Sequence, residues 1–181
     1  MNKALGQFGL LAVLAGSLLL VQLTNSITGG ALNEWGLVPR QAHALRGILF
    51  APWLHGGWAH LLSNLSGLLI LGWLVLLRSR RDFFLASAFI IVGSGVLVWC
   101  FGRSGVHIGA SGWVFGFWGL LLARAWFDRS LMDLLLAALV FCFYSGWVFG
   151  LLPRDGVSFE YHLAGTLCGV LYAARSRKRR F

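Results

Sequence analysis

Residues 109–127 read GASGWVFGFWGLLLARAWF, and the architecture turns on whether this stretch spans a bilayer. From Ser111 to Phe127 the run is apolar and aromatic until Arg124, long enough to approach a bilayer crossing, which needs about 20 mostly apolar residues. It opens on a glycine-flanked serine, Gly109-Ala110-Ser111-Gly112, after the glycine-rich segment Gly102 to Gly109. Glycine lets backbone come close to another group. The start of a helix offers unbonded N–H groups and the positive end of its dipole.

Five further stretches of the same kind lie outward from it: Ala4–Leu23, Trp58–Leu77, Phe83–Phe101, Leu131–Leu152 and Val157–Ala174. The composition agrees, being 58% hydrophobic and 12% charged over 181 residues, with mean hydropathy +0.76. A soluble domain carries about 25% charged residues, and so few charges do not cover a water-facing surface. The expectation is an all-α polytopic membrane protein of six transmembrane helices, residues 1–181 forming one domain. The Lys3-led first stretch exceeds a signal peptide's apolar core of roughly 7–15 residues, so it is read as a retained helix. The connection of about residues 24–57 is too long for a turn. Its Trp35, Leu45, Ile48, Leu49, Phe50 and Trp53 predict an ordered loop lying in the membrane interface.

The net charge of +9 does not point to nucleic acid, because the basic residues sit between or beyond the apolar runs. Lys3, Arg78, Arg80, Arg81, Arg124, Arg129, Arg175, Arg177, Lys178, Arg179 and Arg180 share one side of a six-span layout, 11 of 15. Arg40, Arg46, Arg103 and Arg154 fall on the other. Positive residues favour the cytoplasmic side, so both termini are expected there, with the loop of residues 24–57 outside. The basic tail, about residues 175–181, is placed to meet anionic headgroups of the bilayer. Cys100, Cys142 and Cys168 lack paired spacing and read as small buried hydrophobes.

Polar residues at membrane depth are costly and mark function. By the same layout Ser111, His162, His60 and Asn64 all lie toward the outer side, whereas Asp133 lies at the opposite end. Taken alone, each has an ordinary reading as a packing or interfacial side chain. Context changes this. His162 precedes Gly165 and Gly169 on one helix face, and Gly112 and Gly116 form a matching pair after Ser111. Packing of these faces would bring Ser111 and His162 together, with the imidazole as general base for the hydroxyl. Glu160 is poorly spaced for a third member, so a Ser–His dyad is expected. Phe115, one turn after Ser111, is positioned to pack on the imidazole. His60 and Asn64, four residues apart, share a face and both donate hydrogen bonds. With the Ser111 N–H and the close approach Gly109 allows, they would stabilise an oxyanion. His55 is read either as steadying this site or as an interfacial histidine.

The combination His55-x4-His60-x3-Asn64, Gly109-x-Ser111-Gly112 and His162-x2-Gly165-x3-Gly169 resembles the rhomboid protease pattern, in order and on the second, fourth and sixth stretches. The resemblance spans nearly the whole chain and matches the minimal six-helix bacterial form. It implies an intramembrane serine endopeptidase of the bacterial inner (plasma) membrane. Such an enzyme cleaves single-pass transmembrane protein substrates near the outer face, without metal or other cofactor. It implies dyad roles for Ser111 and His162, oxyanion assistance from His60 and Asn64, and substrate admission between the second and fifth stretches. Two departures stand out: Leu45-Arg46 where the family often has Trp-Arg, leaving Arg46 its structural part in the loop, and Phe115 where many members have Tyr. The Gly102–Gly109 and Pro153–Phe159 loops are read as movable covers. Alternatives are a catalytically silent rhomboid-like protein that binds membrane segments, and a small transporter. A site built from His55, His60 and His162 for a metal lacks both a carboxylate or thiolate partner and HExxH spacing.

Overall fold

The computed structural model describes residues 3–154 and 156–177. Lys178, Arg179 and Arg180 of the basic tail and Asp155 of one expected cover lie outside them. The fold is all-α. The long helices are α1 (Lys3–Ile27), α3 (Trp58–Arg78), α4 (Arg80–Phe101), α5 (Ser111–Phe127), α6 (Leu131–Tyr144) and α7 (Phe159–Arg175). The short helix α2 (Gly47–Phe50) lies in the first loop between 3-10 turns.

Among the described residues, four helical stretches are long and apolar enough to cross a membrane: Leu5–Ile27, Trp58–Arg78, Arg80–Phe101 and Leu131–Leu151. α5 and α7 are shorter, at 17 residues each, or about 25 Å at 1.5 Å per residue. α5 is nonetheless the centre of the molecule, buried along most of its length from Ser111 to Leu121. The fifth stretch is not one continuous α-helix. It gives way at Tyr144 to the 3-10 segment Ser145–Leu151, where glycines at 146 and 150 weaken helix propensity.

α5 and α7 run parallel and form the most extensive helix contact described. Glycine is the reason. A Cβ on Gly165 would lie 2.0 Å from the Gly112 carbonyl oxygen, and one on Gly169 2.0 Å from that of Gly116. Backbone therefore packs on backbone, the close approach that small residues permit between membrane helices. α3 flanks α5, and α1 ties to α3 through Gln7, whose Nε2 donates to the Leu76 carbonyl at 2.7 Å. α6 packs on α5, scarcely touches α3, and exposes Phe141 and Phe143. The broad apolar exterior of the bundle suits lipid rather than water.

The first loop folds onto the end of the bundle where α3, α5 and α7 begin. Its Leu37 pairs with His107 through two backbone hydrogen bonds, and the Ala51 carbonyl accepts from the Gly109 N–H at 2.9 Å. Arg46 remains in this loop, its guanidinium 4.7 Å above the Trp35 ring. In the absence of a tryptophan at position 45, Trp35 supplies the aromatic partner.

Candidate active site

The first residue of α5 is Ser111, and its lead-in is held from two sides. The Ala51 carbonyl takes the Gly109 N–H, and the His55 ring takes the Ala110 N–H at 3.3 Å through Nε2. A nitrogen that accepts carries no proton, so the His55 proton sits on Nδ1, which donates to the Trp53 carbonyl at 3.3 Å. One neutral tautomer satisfies both contacts. Burial, with His60 nearby, lowers the His55 pKa to about 4. Asn25 of α1 braces the same loop, donating from Nδ2 to the His55 carbonyl at 3.3 Å.

Ser111, His162, His60 and Asn64 line one cavity of about 600 Å³, together with Phe115 and Trp147. His60 and Asn64 reach it from α3. A Cβ on Gly109 would fall 2.7 Å from His60 Nε2 and 3.2 Å from Asn64 Nδ2, so any side chain at 109 would occupy the space these nitrogens face. Gly109 also has φ +116°, a conformation that L side chains avoid. Asn64 Nδ2 is buried and has no partner within the described residues. A buried amide donor left unbonded costs stability, and such a donor aimed into a cavity awaits an acceptor.

His162 enters from α7. Its Nδ1 lies 2.7 Å from the Gly150 carbonyl oxygen. A carbonyl only accepts, so this contact places the proton on Nδ1 and leaves the Nε2 lone pair unprotonated, the form a general base needs. The ring is held flat against Phe115, with centroids 4.1 Å apart and planes 4° from parallel. The ring stack does not need the hydroxyl that a tyrosine would carry.

The structure gathers most of the expected residues at this cavity and leaves Arg46 in the first loop. Gly112, Gly165 and Gly169 lie at the α5–α7 contact just below it. Glu160 pairs with Arg103 and not with His162.

Other participants were not anticipated from the sequence. The Gly150 carbonyl and the Trp147 ring come from the 3-10 break, whose only sequence trace is the glycine pair at 146 and 150. His107 bridges the two covers, with Nδ1 2.6 Å from Ser158 Oγ and Nε2 2.9 Å from the Arg103 carbonyl. Arg103 also donates to the Val157 carbonyl at 3.0 Å. The two cover loops are thus joined to each other across the mouth of the cavity.

An all-α, lipid-surfaced bundle with such a cavity at one end defines a polytopic membrane protein with its polar site at the helix ends. A sequence model of the Rhomboid domain matches residues 42–179, and the chain belongs to the rhomboid family. It is similar to an uncharacterized protein of Mycobacterium tuberculosis, 36% identical over 177 residues, covering 90% of this chain and 74% of that protein. It is also similar to two Arabidopsis thaliana proteins. RHOMBOID-like protein 4 is 33% identical over 68% of this chain and 32% of its own length. Rhomboid-like protein 11, chloroplastic, is 32% identical over 67% of this chain and 49% of its own.

Proposed function

We propose that this chain is an intramembrane serine endopeptidase working through a Ser111–His162 dyad. The observation that carries the reading is His162 in the Nδ1–H form on the Gly150 carbonyl, its Nε2 left as a base in the cavity that Ser111 lines. Family membership supports the same class of reaction.

In this mechanism Ser111 Oγ attacks the scissile carbonyl carbon while His162 Nε2 takes the hydroxyl proton. The charge forming on the carbonyl oxygen is met by Asn64 Nδ2, His60 and the N–H of Ser111 at the start of α5. The imidazolium then gives its proton to the leaving amine as the scissile C–N bond breaks, which releases the amine and leaves the acyl group as an ester on Ser111. Water, deprotonated by His162, hydrolyses the ester and restores Ser111. No metal or cofactor enters these steps.

The substrates are single-pass transmembrane proteins taken from the bilayer between α3 and α6, where direct helix contact is sparse. A helical peptide bond is hidden by its own hydrogen bonds, so weak helix formers near the cut are favoured. All six long helices cross the bacterial plasma membrane, the two short ones within the bundle. The 11-to-4 division of basic residues puts both termini in the cytoplasm and the cavity toward the outer face.

The test is reconstitution in liposomes with a single-pass reporter protein. Wild type cleaves it, and Ser111→Ala and His162→Ala do not. Cleavage surviving Ser111→Ala contradicts the mechanism. Binding of the reporter without cleavage by wild type would make the chain a silent binder of membrane segments.

A further inference from the structure

The 3-10 segment Ser145–Leu151 bears on the base twice, once directly and once through Phe115. At the ring edge, its Gly150 carbonyl accepts the Nδ1 proton of His162. At the ring face it acts through Phe115. The Trp147 ring lies on Phe115 with centroids 5.0 Å apart and planes 27° from parallel, and Phe115 lies on His162. The first contact sets rotation of the imidazole in its own plane. The second sets the tilt of that plane.

The far edge of Trp147 is seated on α3. A Cβ on Gly67 would lie 2.7 Å from Trp147 Cη2 and 2.8 Å from Val114 Cγ1, so only a glycine gives the indole this seat. Tyr144 closes on the same ring edge-on at 4.8 Å. One side chain therefore links α3, which carries His60 and Asn64, to the ring that carries the base. Trp147 also lines the cavity and stands where α3 and α6 come near each other without packing.

We infer that Trp147 is a positioning residue for His162, seated by Gly67 and acting through Phe115, so that the wall between α3 and α6 and the alignment of the base share one side chain. This rests on the protease reading above. A membrane segment passing between α3 and α6 meets the same indole that steadies the base.

The test uses two readouts on the full chain in detergent and in liposomes: the rate at which a small fluorophosphonate labels Ser111, and kcat and KM for the reporter protein. Labelling needs the dyad but no passage of a helix. Trp147→Ala is expected to slow labelling and kcat alike by about three- to tenfold, the range one aromatic contact carries, with KM changed less. Trp147→Phe keeps most of both rates. Gly67→Ala, which displaces the indole from another helix, shifts both in the same direction as Trp147→Ala. A folded Trp147→Ala protein that labels at the wild-type rate overturns the inference, whether or not it cleaves, because Trp147 is then wall alone. If that variant does not fold, Gly67→Ala decides, and wild-type labelling there overturns it equally. A wild type that neither labels nor cleaves removes the protease reading itself; a wild type that does both while the variants label normally removes this inference alone.

Discussion

The two ends of the bundle solve opposite problems with polar residues. At the end where α3 and α5 finish and α4 and α6 begin, charges are paired and either buried, as in Arg124, Asp128 and Asp133, or partly so, as in Arg78 and Asp82. Arg124 of α5 bonds Asp82 of α4, and Asp82 also accepts from the Tyr172 hydroxyl of α7 at 3.0 Å. Arg78 of α3 meets Asp128 and, at 3.8 Å, Asp133 at the start of α6. Four helices are clamped there by full charges and α7 by the Tyr172 hydroxyl. At the other end the cavity lining includes no Asp, Glu, Lys or Arg, the Arg103–Glu160 pair standing at its mouth, and a lining donor, Asn64 Nδ2, has no partner within the described residues. The contrast separates holding from reacting. Charge pairs fix helix ends firmly because breaking one strands a buried ion, whereas a reacting centre needs unspent donors and a base free of its proton.

The largest way to break this contrast is at the charged end. Arg124→Met leaves the partly buried Asp82 beside Tyr172 without its cation and is expected to cost about 3 kcal/mol of stability. Unfolding in mixed detergent measures this, and the cleavage rate per folded molecule should stay unchanged. Asn64→Ala is expected to behave in the reverse sense. Cleavage falls by about 10²–10³, the loss typical of one oxyanion donor, while stability holds or rises because an unsatisfied amide is removed. A drop in stability without a drop in rate would place Asn64 with the clamps.

The smallest effect concerns His55, which belongs to the cavity end but serves to hold it. Its folded pKa of about 4 lies below the ordinary 6.5, so the folded protein favours the neutral ring. Its contribution is complete above pH 6.5 and is lost as pH falls toward 4, where the unfolded chain takes up the proton first. The shift corresponds to roughly 3 kcal/mol at most, at 1.36 kcal/mol per pH unit. Melting temperature followed from pH 7 to pH 4 should fall in wild type and fall less in His55→Gln, whose amide oxygen accepts from Ala110 without titrating.

Much of this arrangement is legible in the sequence, and the boundary is physical. Helix periodicity places Gly165 and Gly169 on the His162 face and Gly112 and Gly116 below Ser111, so the backbone contact of α5 with α7 follows from spacing. His60 and Asn64 share a face by the same rule. What the spacing does not carry is contact made by irregular backbone. The Gly150 carbonyl is a main-chain atom with no residue signature, and it reaches His162 because the fifth apolar stretch changes from α to 3-10 at Ser145. Hydropathy alone reads that stretch as a continuous span. His107 is hidden for a similar reason, since its partners are a main-chain carbonyl in its own loop and Ser158, 51 residues away. The charged clamp is half legible: clusters at helix ends mark topology, but which aspartate meets which arginine depends on the rotation of each helix.

Whether Ser111 is a nucleophile activated by His162 is read directly by covalent labelling. Wild-type and His162→Ala proteins in detergent are treated with a fluorophosphonate, digested, and examined by mass spectrometry for the phosphonylated peptide. An adduct on Ser111 is expected in wild type and is lost in His162→Ala. An adduct on another residue, or equal labelling of Ser111 in both proteins, would contradict the dyad.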